Sequence, residues 1–359
     1  MNIGEIFDFF SNICYDGCSK YVNEGRFTMD EFEFIDSITQ KYYRQSSVIK
    51  GIGDDAAILR HPYHDVVTAV DTMVDGVHFS KETVPPFYIG YRTLAANISD
   101  MAAMGAVPTS YMISLVVPKD YSDRELQAIY QGMDQLSRQY HMDLIGGDTV
   151  TGDQLVVSVT IHGVVDKDKA RLRSHARDGD IIFVTGTLGD SRFGLGLLLD
   201  EYNSQPYNDQ LDKIDRDYFI NRHQQPTPRV DFAKDLTPLK RVALNDVSDG
   251  IASEAHEIAK ASQVTLIIDD AQVPVHPDMN MLPDELIHDY KYSGGEDFEL
   301  LGTVSTQDFP FVVEMARQQH LPLHQIGYVK DAEQTNGQVY LKKYDTLKRL
   351  KKTGYTHKN

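Results

Sequence analysis

VDTMVDGVHF, residues 70–79, ends an apolar run on two aspartates and a glycine, and three more stretches repeat the design: GIGDDAA (51–57), IGGDTV (145–150) and NDVSDG (245–250). Carboxylates set at strand ends, beside glycines that let a backbone approach a ligand, are what several Mg²⁺ ions and a polyphosphate require. Aspartate and glycine are also ordinary turn residues, which accounts for any one of these runs. It accounts poorly for GDDAA and GGDT, where the acid lies against the strand. Four such runs, each entered by apolar residues, predict one charged site that the fold assembles.

Outward from these runs the chain alternates strand and helix. VVTAVDTMV (66–74) reads as a buried strand, and residues 87–105 as a helix ended by Gly105 and Pro108. Within that helix Asn97 and Asp100 are three apart and share a face. Their neighbours Ala95, Ala96, Ala102 and Ala103 are small, which predicts close packing on more than one face and a partner for the carboxylate. SYMISLVVP (110–118) is a strand. Ser122 and Glu125 form a capping box ahead of a helix with Leu126, Ile129, Met133, Leu136 and Tyr140 on one face. LVVSVTIHGVV (155–165) is another strand, and this half reads as α+β. KDKARLRSHARDGD (167–180) makes a basic, polar linker. A second set follows: strand DIIFVTG (180–186), helix 189–200, a polar loop at 201–217, helix 228–236, helix 251–262 after NDVSDG, strand VTLIIDD (264–270) and SGGEDFELL (293–301).

The chain has 359 residues, enough for two domains with sizeable cores. Its net charge of −18, from 35 basic and 53 acidic side chains, disfavours a nucleic-acid partner, which needs a basic face. There is no run of 18 apolar residues and no basic stretch followed by an apolar one at the start, so neither a membrane span nor a signal peptide is expected, and the cytoplasm is. Cys14 and Cys18 have no further Cys or nearby His to complete a zinc set. No P-loop, no G-x-G-x-x-G after a strand, no G-x-S-x-G and no EF-hand spacing occurs. VTGTLGDSRFG (184–194) has glycines between strand and helix, for which close packing is the reason.

GIGDDAA, VDTMVDGVHF, LAANISDMAAMGAVP (94–108), LIGGDTV (144–150), the second arginine of RLRS (171–174), VSDG (247–250) and SGGEDFEL (293–300) stand in this order along the chain. In that ordered set the chain resembles the thiamine-monophosphate kinases, within the superfamily of aminoimidazole ribonucleotide synthetase. The resemblance implies an α+β, two-domain architecture: an N-terminal mixed-sheet domain and a C-terminal α/β domain. It implies ATP-dependent phosphorylation of thiamine monophosphate to thiamine diphosphate, with several Mg²⁺ ions, and a homodimer joined through the N-terminal sheets. By the same resemblance Asp55, Asp71, Asp100, Asp148, Asp246 and Asp249 would be metal ligands. Gly147, Asp148, Arg173 and Ser248 would contact ATP. His78 and Glu296 would meet the substrate, as would Tyr355 in the closing GYTH (354–357).

The chemistry agrees with these residue types. Phosphoryl transfer needs positioning and charge neutralisation more than covalent groups. The acceptor is itself an ionised phosphate, so no strong base is required, and none is evident. Arginine holds a phosphate bidentately where lysine would not. Two positions depart from relatives: Ala69 and Val70 stand where some carry Ser-Thr, and Lys358 follows the closing His where Phe is usual. Neither removes a charged ligand. Another ATP-dependent enzyme of the superfamily, or a non-catalytic Mg-nucleotide sensor, is the alternative, and retention of all six aspartates weighs against a sensor.

Met29 opens MDEFEFIDSI, a helix start with acids in its first turn. Just before it, EGRFT (24–28) can be encoded by a purine-rich stretch resembling a bacterial ribosome-binding site. Residues 1–28 are therefore expected to be an upstream extension, 29–166 the metal- and ATP-binding, dimerising domain, and 167–359 the second domain. A chain beginning at Met29 is expected to match the 359-residue chain in melting temperature and turnover; a large loss of either overturns the assignment.

Overall fold

Alternating apolar residues fold the first half into a sheet with helices on one face. The structure, a computed structural model, describes residues 38, 40, 42–50, 58–331 and 337–354. The helix start at Met29, both cysteines, the GIGDDAA run with Asp55, and Tyr355 lie outside the described residues. Strands β1 (Val48–Lys50) and β2 (Ile58–Leu59) pair antiparallel. Then come β3 (His64–Val74), helix α1 (Pro86–Ala103), β4 (Val107–Val117), α2 (Asp123–Gln139), β5 (Asp143–Thr151) and β6 (Val156–Asp166). The sheet order is β3-β6-β4-β5, with β4 and β5 parallel and the other pairs antiparallel.

Helix α2 opens on the expected capping box: Ser122 Oγ accepts from Glu125 N at 3.3 Å, and Glu125 Oε2 accepts from Ser122 N at 2.8 Å. Leu126, Ile129, Met133 and Leu136 are its buried face. It crosses α1 in backbone contact. A Cβ on Gly132 would collide with the Phe87 carbonyl, and one on Gly90 with the Ile129 carbonyl.

The strand over 66–74 is not buried as its sequence suggests. It extends over β3 at the sheet edge, and its outward residues Val66 and Val70 are 51% and 60% exposed. Valines on both faces suit a strand covered twice, and here none of the described residues supplies the outer cover.

The second half contains β7 (Ile181–Thr185), α3 (Asp190–Leu198), α4 (Arg216–Gln224), α5 (Val230–Asp235), β8 (Val242–Asp246), α6 (Ile251–Ser262), β9 (Val264–Asp269), α7 (Asp284–Ser293), β10 (Leu300–Val304), α8 (Phe309–Gln318), β11 (Leu323–Asp331), β12 (Gln338–Lys343) and β13 (Thr346–Arg349). Its strands form a mixed sheet in the order β13-β12-β9-β11-β7-β10-β8. Three helices, α4, α7 and α8, were not expected, and the loop at 201–217 runs into the first of them. The 167–180 segment is not a free linker. Arg171 is buried and donates to the carbonyls of Leu236 and Leu239, tying the crossover to the second half.

Both halves share one apolar core. Phe183, Phe232, Val242, Leu244, Leu300 and Val304 of the second half pack with Leu94, Ile98, Ile113 and Val159 of the first. Helix α1 lies between them. From Ile89 to Ala103 every residue of it except Asp100 is buried. No helix among the described residues is long and apolar enough to cross a membrane.

The α1–α2 crossing sets two effects against each other. Gly132→Ala gains about 1 kcal/mol of helix propensity but forces the helices apart, at about 1–3 kcal/mol or more. The collision is with backbone, which cannot rotate away. Net destabilisation is expected in denaturant unfolding; a neutral or stabilised variant overturns the close-crossing account.

Candidate active site

The C-terminal half of α1 faces the ends of β3 and β8, and five carboxylates meet there: Asp71, Asp100, Asp246, Asp249 and Glu254. Asp71 points inward from β3, and its backbone N–H donates to Asn97 Oδ1 at 3.1 Å. Asn97 is anchored by donating to the Thr93 carbonyl at 3.0 Å. Thus one buried amide locks the edge strand to the helix one turn before Asp100. Ser99 reaches the other way and donates to Asp246 Oδ2 at 2.9 Å, across to the second sheet. Asp246 is the last residue of β8 and is buried.

The chain then turns through Val247-Ser248-Asp249-Gly250 into α6. Gly250 has φ +103°, and a Cβ there would stand 2.8 Å from the Tyr292 carbonyl, so glycine is required. Glu254, in the first turn of α6, accepts from Asp249 N at 3.3 Å and from Asn245 Nδ2. Asn245 in turn accepts from Arg173 Nε at 2.7 Å, which aims that guanidinium at the cluster. The SGGEDFEL stretch pairs with this turn: Val247 N donates to Glu299 O, Phe298 N to Val247 O, and Glu296 N to Ser248 O at 2.7 Å. Glu296 takes the left-handed φ of +66°.

The electrostatics follow from crowding. Burial, then Asp246, Asp71 and Glu254, push Asp100 up to about 8, against the pull of Arg173. Burial, then Asp246 and Asp249, raise Glu254 to about 8. Asp246 rises to about 6 through burial and Asp71, held back by the Ser99 hydroxyl and Arg173. Asp71 rises through burial and Asp249, with His78 opposing. Several buried acids with one guanidinium against them favour protons or cations. These oxygen donors fit a hard divalent ion. Among the described residues no three acidic, histidine or cysteine side chains are grouped closely enough to hold a metal ion by themselves.

Of the sequence-predicted residues, Asp71, Asp100, Asp246, Asp249, Arg173 and Ser248 come together. His78 stands beside Asp71, its Nδ1 accepting from Val74 N at 3.1 Å. Asp148 does not join them. The ladder runs Asp71–Val159–Ile113–Gly147 on the inner face and Thr72–Ser158–Ser114–Asp148 on the outer. Asp148 is therefore on the opposite face from Asp71 and about 14 Å away across three strand spacings. Gly147 has a packing reason as well, since a Cβ there would collide with the Ile113 carbonyl. Sequence reasoning missed Glu254, Asn245 and Ser99. The only sign of Glu254 was an acid in the first turn of the helix after NDVSDG.

With this geometry in view, the comparisons are specific. The family "AIR synthase related protein, N-terminal domain" matches residues 53–165, and its C-terminal counterpart matches 177–340. The thiamine-monophosphate kinase of Bacillus subtilis (strain 168) is 48% identical over 332 residues, 92% of this chain and 99% of the relative. The crystal structure of thiamine-monophosphate kinase from Stenotrophomonas maltophilia K279a superposes with a TM-score of 0.74 at 33% identity, covering 87% of this chain and 96% of that one. AaThiL complexed with AMPPCP and TMP superposes at 0.67 with 29% identity, covering 94% and 100%.

The raised acids carry a stability signature. Asp100 binds its proton in the fold up to about pH 8, but from 3.8 upward the unfolded chain has lost it. Metal-free stability contributed by this group therefore falls as pH climbs between those values. Mg²⁺ would displace the proton, so the rise in melting temperature on adding Mg²⁺ should be larger at pH 8 than at pH 6. Asp100→Asn should reduce that difference, leaving the part owed to Glu254 and Asp246; a pH-independent Mg²⁺ shift in the unsubstituted protein overturns the reading.

Proposed function

This chain belongs to the family of thiamine-monophosphate kinases, and we propose that the carboxylate cleft between α1 and β8 is where it does their chemistry. It transfers a phosphoryl group from ATP to thiamine monophosphate, giving thiamine diphosphate and ADP. One observation carries the assignment to the cleft: Asp71, Asp100, Asp246, Asp249 and Glu254 come from both halves of the chain and lie close enough to repel one another, with Ser99 of α1 reaching across to Asp246.

In this reading Asp71, Asp100, Asp246 and Asp249 would hold Mg²⁺, with Asp55 and Asp148 as further ligands. When bound, the ions would cancel the repulsion between the donor and acceptor phosphates. The chain supplies the rest by orientation. Ser99 aims Asp246, Asn97 fixes the backbone at Asp71, and Asn245 turns Arg173 toward a phosphate of ATP. Ser248 and Gly147 bring backbone to the nucleotide. Glu296 would present a carboxylate to the cationic substrate, and His78 and Tyr355 would be its further contacts by the family resemblance. No protein base is needed, because the acceptor oxygen is already ionised.

Residues 29–166 would form the metal- and ATP-binding domain and 167–359 the second, with 1–28 an upstream extension. We place the protein in the cytoplasm and read it as a homodimer. The outer face of the four-stranded sheet carries exposed Val66, Val70 and Val150, which a second copy would cover. Asp148 lies on that same face, so the dimer would let each chain lend Asp148 to its neighbour's cleft.

Subunit mixing tests this. Asp148→Asn and Asp246→Asn should each abolish most turnover of ATP with thiamine monophosphate while leaving the fold intact. Co-expressed, they give mixed dimers in which one cleft keeps both groups, restoring up to about a quarter of the unsubstituted activity in a statistical mixture. No recovery places Asp148 in its own chain's site. Near-normal activity of either single variant at saturating Mg²⁺ removes that residue from the ligand set.

A further inference from the structure

Two helical turns before Ser99, on the same side of α1, stands Arg92. It is a charged residue with 0% exposure in the middle of the shared core. A guanidinium is held there only if its partners offset desolvation. Arg92 Nη2 lies 2.6 Å from Glu296 Oε2, an ion pair not aligned as a hydrogen bond. Arg92 Nη1 lies 2.8 Å from His223 Nε2. A guanidinium only donates, so His223 Nε2 is the bare nitrogen and the ring proton sits on Nδ1, 3.1 Å from Ser191 Oγ. His223 is thus neutral, and Glu296 is the carboxylate that balances Arg92.

Glu296 is consequently held from two directions. Its backbone is fixed by the second half of the chain, through the Ser248 carbonyl and its left-handed φ. Its side chain is fixed by the first half, through Arg92. Oε2 is engaged by the guanidinium, and the side chain keeps 28% of its surface open. That open surface is where a ligand can reach the carboxylate.

We propose that Arg92 is a positioning residue for the thiamine end of the substrate, holding the Glu296 carboxylate in the rotamer that receives it. This rests on the assignment of Glu296 to the substrate. His223 and Ser191 form the back wall that keeps the guanidinium from turning away. The Arg92 guanidinium itself pairs with Glu296 and His223 and with none of the carboxylates assigned to Mg²⁺, so its loss is expected to act on thiamine monophosphate rather than on ATP.

The test is a comparison of KM for thiamine monophosphate and for ATP in Arg92→Met, Arg92→Lys, Glu296→Gln and the Arg92→Met/Glu296→Gln double variant. Glu296→Gln and Arg92→Met should each raise KM for thiamine monophosphate about tenfold and leave KM for ATP within about twofold. The double variant should be no worse than either single one, because both remove the same contact. Arg92→Lys keeps the charge but only one arm of the fork, and should give an intermediate rise of about threefold. If Glu296→Gln leaves KM for thiamine monophosphate unchanged, the assignment of Glu296 fails and the proposal with it. If Glu296→Gln has its effect and Arg92→Met does not, the proposal alone fails. Equal rises in both KM values, or additive losses in the double variant, make Arg92 a packing residue and overturn the proposal. Should Arg92→Met not fold, Arg92→Lys decides: an unchanged KM for thiamine monophosphate overturns the proposal.

Discussion

A helix with no free side governs this molecule. Helix α1 is walled by α2, by the four-stranded sheet and by β8, α4 and α5 of the second half, and only Asp100 in its buried stretch escapes. Ala95, Ala96, Ala102 and Ala103 let those walls come close, and Gly90 removes the last obstacle to α2. Because α1 touches both halves, it is also the ruler that spaces the site. Ser99 meets Asp246 and Arg92 meets Glu296 from fixed positions on one rigid rod. Functional groups on such elements are held more accurately than groups on loops.

The cleft is in electrostatic tension by design of its residues. Its acids are oriented by neutral groups: Ser99 and Asn245 donate to Asp246 and Glu254, and Asn97 accepts from the backbone of Asp71, which fixes geometry without cancelling charge. A second or third arginine would relieve the repulsion and also fill the place of a cation. The fold tolerates the excess because its stability comes from apolar packing elsewhere, a common division between activity and stability.

How much of this could be read beforehand depended on the range of the physics involved. The capping box at Ser122, the helix start at Ile251 after NDVSDG and the small-sided helix around Asp100 are local and were legible. The exposure of Val66 and Val70 was not. Apolar residues on both faces look the same whether the cover is the chain itself or another molecule. The face taken by Asp148 depends on register, where a slip of one residue inverts the answer; here an irregularity between Tyr111 and Met112 sets it. Arg92 among apolar neighbours gave no hint of Glu296, which lies in the other half. Helix α4 escaped notice because its apolar residues do not gather on one side, and Glu254 because an acid in a first helical turn is ordinary.

The burial of α1 also bears on how the chain is made. Synthesis runs from the N-terminus, so the first sheet and its two helices emerge well before Phe232 of α5 and Val242 and Leu244 of β8 exist. Until those elements arrive, the side of α1 that they cover lacks that cover. The nascent first half therefore carries an open apolar stripe, attractive to chaperones and to other unfinished chains. Completion of the enzyme waits on contacts between residues far apart in sequence, which makes folding slow relative to a chain of independent domains. The helix that unites the two halves in the finished protein is, during synthesis, the surface most in need of protection.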